Sequence, residues 1–317
     1  MIRYGKTIFE TNEWIDTLKN SYSYTPYASR GAFFLHVKSR LFGNRLISLP
    51  FSDYGRISFI GRDQIEHMIT QTHAEYVEAR IPEWKWDLIH DFCRNNFIIA
   101  KIYKTFLLDI SKDQEHIWSN LNKKVRNAIR YSKKKNIEIR RIEDLDDLKI
   151  FYKLYLRGSR ELGSPPHPYK FYELLFRNLR DKILLDVAFY NQIPIASILV
   201  LLGDRWANFW QNISIRKYRR FNASYLLLWN TVAELSEKDF LVFDFGRTRE
   251  GTGIHFFKRR WGGIEQNIYH LVYSEGEKIK TPDPRDRKYV YLSKIWRRMP
   301  LKAAEFLGTR IIGGIAL

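Results

Sequence analysis

The feature that most restricts this chain is the apolar run from Tyr225 to Leu235, set between two strand-like segments, Arg205 to Ile215 and Leu241 to Phe245. A helix that is apolar on nearly every side must be buried. A strand, helix, strand connection of this length makes the two strands parallel neighbours. Ahead of it, Ile183 to Tyr190, Ile195 to Leu202 and Arg205 to Ile215 read as three strands joined by tight polar turns, which predicts an antiparallel meander. Helices at Asp146 to Leu162, stopped by Gly163, and at about Tyr169 to Leu179 precede it, separated by a loop stiffened by Pro165, Pro166 and Pro168.

The first 110 residues read as a second mixed α/β unit, with strands at Ala32 to Val37, Leu46 to Leu49, Arg56 to Ile60 and Ile98 to Leu108 and a helix at about Arg62 to Arg80. Between the units, Ser111 and Gln114 have capping-box spacing, and Ile117, Leu121, Val125 and Ile129 then recur every four residues. This predicts one long connecting helix reaching about Lys135. Its other positions carry Lys123, Lys124, Arg126, Arg130 and Lys133 to Lys135, a surface that either binds phosphate or is simply solvated.

With 53 Lys and Arg against 35 Asp and Glu, the formal charge is +18. Such a surface attracts phosphates of nucleic acids, nucleotide cofactors or anionic lipids. Cys93 is the only cysteine, which rules out an internal disulfide and fits a reducing compartment, so cytoplasm is the expected location. The opening MIRYGKTIFETNEW lacks a signal-peptide core, and no window approaches the roughly 18 apolar residues of a spanning helix, so a soluble or peripheral protein is expected. No serine sits in a G-x-S-x-G turn, and His67, His73, His90 and His255 have no metal-ligand spacing. Hydrolase and metalloenzyme readings are set aside and no metal is expected.

Chemistry is expected in residues 241–263, where a strand ends in Asp244 and Arg247 and a glycine-broken turn delivers Phe257, Lys258 and Trp261. The Lys258 ammonium suits an oxyanion that develops when an amine attacks an ester or thioester carbonyl. Asp244 either orients that lysine or the incoming amine, or pairs structurally with Arg247. Asp53, Glu161 and Asp244 are all open as general base. In LISLPFSDYG, Phe51 and Tyr54 project from a strand end or merely belong to a turn. Arg216, Lys217, Arg219 and Arg220 precede Asn222, Ala223 and Ser224 at the start of the apolar helix, where side-chain cations and free amides form an anion site. A basic surface turn is the plainer alternative there, as a basic hairpin is for 241–263.

The element order resembles acyl-transferring domains of the GNAT type, in which the last two strands splay around the donor. Four segments, LISLPFSDYG at 46–55, LNKKVRNAIRYSKKKNIEI at 121–139, FYKLYLRGSRELGSPP at 151–166 and FDFGRTREGTGIHFFKRRWGG at 243–263, together resemble the FemAB family of aminoacyl and acyl transferases. The ending IWRRMPLKAAEFLGTRI is similar to the branch linked to exopolysaccharide and exosortase systems. The resemblance implies an α/β (α+β) fold of two tandem GNAT-like halves, a degenerate one at 1–110 and a catalytic one at 141–275, joined by the basic helix at 111–140 and followed by a basic amphipathic tail at 276–317. It implies transfer of an acyl or aminoacyl group to an amine of a peptidoglycan or exopolysaccharide precursor, lipid- or nucleotide-linked, with Phe257 and Lys258 at the reacting carbonyl.

Substrate contacts are then expected from Phe51, Asp53, Tyr54, Arg126 and Tyr155, and from Arg157, Arg247, Phe257 and Trp261. Donor contacts are expected from Arg216, Arg219, Arg220, Asn222, Ala223 and Ser224. The donor is acyl-CoA or aminoacyl-tRNA, and no cofactor is expected to stay bound. The helical hairpin by which many FemAB members engage tRNA has no counterpart in the single predicted helix from Lys112 to Lys135. From Asp283 onward, Arg285, Arg287, Lys288, Lys294, Arg297, Arg298 and Lys302 are interspersed with Tyr289, Tyr291, Leu292, Ile295, Trp296 and Leu301, a pattern that lies on an anionic membrane or packs back on the domain. The competing reading is a non-catalytic nucleic-acid or polysaccharide binding module.

Overall fold

A computed structural model describes residues 5–29, 31–39, 43–276 and 287–316. The first half runs α1 (Asn12–Tyr22), β1 (Thr25–Ser29), β2 (Ala32–Val37), β3 (Arg45–Ile47), α2 (Arg62–Thr72), β4 (Tyr76–Pro82), α3 (Trp86–Arg94) and β5 (Ile98–Asp109). Then come α4 (Gln114–Asn120), α5 (Lys123–Lys133), β6 (Glu138–Arg141), α6 (Leu145–Leu162), α7 (Tyr169–Asn178), β7 (Ile183–Tyr190), β8 (Ile193–Leu202) and β9 (Trp206–Ser214). The chain finishes with α8 (Ala223–Glu237), β10 (Val242–Asp244), α9 (Gly253–Arg259), β11 (Ile264–Tyr273), α10 (Arg287–Arg298) and α11 (Leu301–Ile315).

Among the described residues the strands form one sheet in the order β1-β2-β3-β4-β11-β5-β10-β9-β8-β7-β6. Neighbours are antiparallel except at two places, β3 with β4 and β9 with β10. In both, one helix joins the parallel pair, α2 in the first half and α8 in the second. The repeated step is what tandem halves require. The halves interlock at mid-sheet, where β5 pairs with β10, β11 pairs with β4, and β5 and β11 pair with each other. This is the mixed, mainly antiparallel α/β architecture expected, flanked by helices.

The second half follows its pattern closely. The Asp144 side chain caps α6 by accepting from the Asp146 and Asp147 amides, and Gly163 ends it in the left-handed region at φ 77°. α8 buries residues all round, from Leu226 to Leu235, and β8 is buried continuously from Ile195 to Leu201 because α6 and α8 both contact it. The first half departs more. The predicted helix from Arg62 to Arg80 stops at Thr72, His73 turns left-handed at φ 50°, and Tyr76–Pro82 is a fully buried strand. Residues 56–60 form no strand, and β2 already has β1 and β3 as neighbours.

The connecting helix is two helices. Asp113, not Ser111, caps α4 by accepting from the His116 amide at 2.7 Å, and Leu121 is extended. Asn122 then caps α5 by accepting from the Lys124 amide at 2.9 Å. Asn competes for backbone amides and so favours caps over helix interiors, which breaks a helix that its apolar spacing alone would continue. Ile117, Leu121, Val125 and Ile129 are nonetheless all buried.

The tail divides in two. Residues 283–286 of the expected membrane segment lie outside the described residues. α11 is part of the core: Ala304, Gly308, Ile312 and Ile315 are buried, and its last carbonyls meet two buried arginines. Arg45 donates to the Gly314 and Ile315 carbonyls and Arg80 to the Ala316 carbonyl at 3.1 Å. These guanidinium groups satisfy carbonyls that a helix end leaves open and complement its negative pole. Arg80 also pairs with buried Glu78 at 2.7 Å, and His270 lies 3.1 Å from the same carboxylate. No helix among the described residues is long and apolar enough to cross a membrane.

Candidate functional site

β9 and β10 stay together for only three residues, Trp206, Ala207 and Asn208 against Val242, Phe243 and Asp244. β9 continues to Ser214 while the other chain turns away at Gly246, at φ 70°. A Cβ there would come within 2.9 Å of Asp53 Oδ2 and of the Phe209 carbonyl oxygen, so only glycine permits this turn. The divergence opens a cavity of about 320 Å³ lined by Phe209, Trp210, Gln211, Asn212, Arg247, Gly253, Ile254, Phe257 and Lys258. A second cavity of about 570 Å³ shares Trp210, Gln211 and Asn212 as a wall and is closed by Phe51, Tyr155, His167, Ser293, Ile312 and Ile315, among others.

α9 is what aims Lys258. The Thr252 hydroxyl caps it by accepting from the His255 amide at 3.2 Å, and the helix then turns Lys258 inward while Phe256 faces solvent. Lys258 Nζ donates to the Gly246 carbonyl at 2.8 Å and to the Arg247 carbonyl at 3.1 Å. Burial pushes its pKa down to about 8, with the Asp53 and Asp244 carboxylates pulling the other way. The group is therefore still an ammonium at neutral pH. Of its three N–H donors two are engaged, which leaves one for a ligand in the smaller cavity.

Asp244 is sealed. Its carboxylate accepts from the Tyr54 hydroxyl, from Thr105 Oγ1 at 2.5 Å, from Asn208 Nδ2 at 3.1 Å and from the Gly246 amide at 2.8 Å. Burial raises its pKa to about 6, reinforced by Asp53 and opposed by the Thr105, Tyr54 and Gly246 donors. The expected pairing of Asp244 with Arg247 is not formed: Arg247 Nε lies 3.6 Å from Asp53 Oδ1, and its guanidinium lies over the Tyr103 ring at 5.0 Å. Asp244 thus fixes the Gly246 turn. Of the other base candidates, Glu161 accepts from the Arg216 amide at 2.8 Å and holds that loop. Asp53 is the partly exposed carboxylate in the electrostatic field of Lys258.

Phe51 and Leu49 flank Pro50 in the left-handed region, at φ 60° and 66°, a conformation costly for side chains of this size. Trp210 Nε1 holds the turn by donating to the Phe51 carbonyl at 2.9 Å. The turn brings Tyr54 to Asp244 at the β10 end and Asp53 to Arg247, while Arg247, Phe257 and Lys258 themselves line the smaller cavity. Tyr155 is buried beside the larger one, its hydroxyl accepting from the His167 amide at 2.8 Å.

Other residues expected at the site lie apart from it. Arg126 donates to the Ser119 carbonyl at 2.5 Å and the Leu121 carbonyl at 2.8 Å, closing the end of α4 rather than facing a substrate. Arg157 is exposed on α6. Trp261 is a core residue, fully buried and 5.7 Å from the Phe245 ring. Arg216, Arg219 and Arg220 are exposed on a 3-10 turn, Arg216–Phe221, ahead of α8, but Asn222 is left-handed at φ 56° and makes no side-chain cap. The Ser224 hydroxyl donates instead to Asn212 Oδ1 at 3.0 Å, which ties the first turn of α8, including buried Ala223, to the wall both cavities share. Trp210, Gln211, His167, Thr105 and Asn208 were missed. The signal for Asn208, Trp210 and Gln211 was the run NFWQN, polar and aromatic residues inside an otherwise apolar strand, whereas Thr105 and His167 carry no such mark.

Residues 119–259 match the family model of the acetyltransferase (GNAT) domain. No curated protein sequence matches the chain significantly. Among solved structures, FemX is similar with a TM-score of 0.64 and 12% identity, over 84% of this chain and 92% of that one. The structure of L-PGS from Bacillus licheniformis is similar with a TM-score of 0.56 and 12% identity, over 94% of this chain and all of that one (100%). The C-terminal domain of a protein provisionally named as a lysylphosphatidylglycerol synthetase, from Agrobacterium fabrum, has a TM-score of 0.61 and 10% identity over 86% and 88%. The fold is GNAT-like, as the sequence implied, and the matched domain ends one residue past Lys258.

Proposed function

We propose that this protein is an acyltransferase that moves an acyl or aminoacyl group onto an amine of a cell-envelope precursor of peptidoglycan or exopolysaccharide type, carried on a lipid or a nucleotide. The observation that carries the reading is Lys258: a buried ammonium at the divergence of β9 and β10, with two N–H groups anchored on backbone carbonyls and its side chain lining a cavity. The donor carbonyl occupies the smaller cavity and the acceptor amine arrives from the larger one, across Trp210 and Gln211. The amine attacks the carbonyl carbon, Lys258 stabilises the oxyanion, Asp53 takes the amine proton, and collapse expels the thiolate or tRNA oxygen. Names among the similar folds, FemX and a lysylphosphatidylglycerol synthetase, agree with an envelope acceptor.

The exposed Arg216, Arg219 and Arg220 at the start of α8 suit the phosphates of either donor, and acyl-CoA is the one we favour. At about a hundred times its dissociation constant, acetyl-CoA would add roughly 2.7 kcal/mol to the folded state. A rise in melting temperature that disappears in an Arg219→Ala, Arg220→Ala variant supports this donor site; no rise with the wild-type protein removes acyl-CoA and points to charged tRNA. Turnover that survives Lys258→Ala unchanged would take Lys258 out of the chemistry, and no turnover in the wild-type protein, with Lys258→Ala changing only ligand affinity, would leave a binding module.

A further inference from the structure

Residues 287–316 carry seven basic residues against Glu305 alone. α11 is held in the core, but among the described side chains α10 buries only Trp296, which packs toward Gly308 of α11. The described apolar side chains elsewhere on α10 are exposed. At about 100° per residue, Tyr291, Leu292 and Ile295 fall within one quarter to one third of its circumference, and Arg287, Lys294 and Arg298 lie along one border of that stripe. All six are exposed, Tyr291 at 66%. On α11 the pattern repeats: Phe306 and Leu307 are exposed opposite the buried Ala304, Gly308 and Ile312, with exposed Lys302 and Arg310 beside them. The same two helices line the larger cavity through Ser293, Ile312 and Ile315.

We propose that the outer faces of α10 and α11 dock the protein on an anionic lipid surface, setting the larger cavity against the membrane. A nucleic-acid backbone would use the cations but give nothing to five large apolar side chains, whereas an interfacial helix needs both, apolar groups in the acyl boundary and Lys or Arg among the headgroups. The position of the surface beside the cavity rests on the acceptor reading above and makes the acceptor lipid-linked. Because α11 belongs to the core, removing the tail would test folding, so substitution of exposed residues is the sound route.

The experiment is flotation of the full chain with vesicles of phosphatidylcholine alone and of phosphatidylcholine with phosphatidylglycerol, using wild type, a Leu292→Glu, Ile295→Glu, Phe306→Glu variant and a Lys294→Glu, Arg298→Glu variant, each checked for an unchanged melting temperature. Wild type is expected to float only with the anionic vesicles, and each variant to lose about tenfold or more in partitioning. Equal flotation of wild type and the apolar variant, or none of wild type, overturns the proposal, as does binding to RNA that both variants lose while vesicles are ignored. No acyl donor is present in this measurement, so its failure leaves the reaction standing, and loss of the reaction leaves the surface standing.

Discussion

Lys258 reaches back from α9 to donate its ammonium to the Gly246 carbonyl at 2.8 Å, tying α9 to the turn at which the chain after β10 leaves β9. Because burial opposes that charge, the group is a cost to the fold retained at the site. Lys258→Met should therefore keep the melting temperature within a few degrees while turnover falls roughly 10² to 10³-fold, the loss typical of removing one oxyanion donor. A large stability loss with proportionate activity loss, read by calorimetry and kinetics together, would make Lys258 a structural residue.

If Lys258 is the oxyanion donor of the proposed reaction, its lowered pKa, about 8, should set the alkaline limit. Below that value the ammonium is present and above it the donor charge is lost, so kcat should fall with a midpoint near 8 as pH rises. Lys258→Arg, in which the charge persists to far higher pH, should move or abolish that limb whatever its absolute rate. An unchanged limb in the arginine variant would assign the titration to another group.

Asp244 makes stability depend on pH in the opposite sense to most carboxylates. Its native pKa, about 6, lies above its ordinary value, so the native state holds a proton that the unfolded chain has released. That contribution is full below the ordinary carboxylate value and is lost as pH rises through about 6. Asp244→Asn should lower stability overall, since an amide nitrogen would face the Tyr54 and Thr105 donors. Its urea-unfolding free energy should nevertheless lack the decline between about pH 4 and 6 expected of wild type.

Gly246→Ala should lower the melting temperature, because the left-handed backbone there costs a side chain about 1–2 kcal/mol and the methyl would meet Asp53 and Phe209. Activity per folded molecule should fall as well, since displacing this turn moves the carbonyl that anchors Lys258. A variant with lowered stability but wild-type kcat would separate the turn from the chemistry.

The second half of the fold was legible because its signals are local. Gly163 stops α6, α8 is apolar on all sides, and the polar turns between β7, β8 and β9 leave little choice of pairing. Lys258, Arg247 and Asp53 were also visible as residue types, since a lysine between Phe257 and a glycine turn is conspicuous in sequence. Helix breaks at Leu121 and Thr72 were not, because a single Asn cap and a left-handed His73 outweighed an otherwise continuous pattern.

What the sequence by itself determined is the set of elements whose periodicity or punctuation is complete within about a dozen residues, together with the charge and the chemistry available. The tertiary structure alone decided which groups meet. β4 reads as a polar helix until Glu78 and Arg80 find each other and His270 on β11, and only that pairing makes a buried strand of charged residues tolerable. Asp244 and Arg247 are neighbours in sequence yet part, one to Tyr54, Thr105 and Asn208, the other to Asp53. Partners of this kind come from strands and turns up to 190 residues apart, and no local pattern encodes them because their stabilisation exists only once the sheet has brought them together.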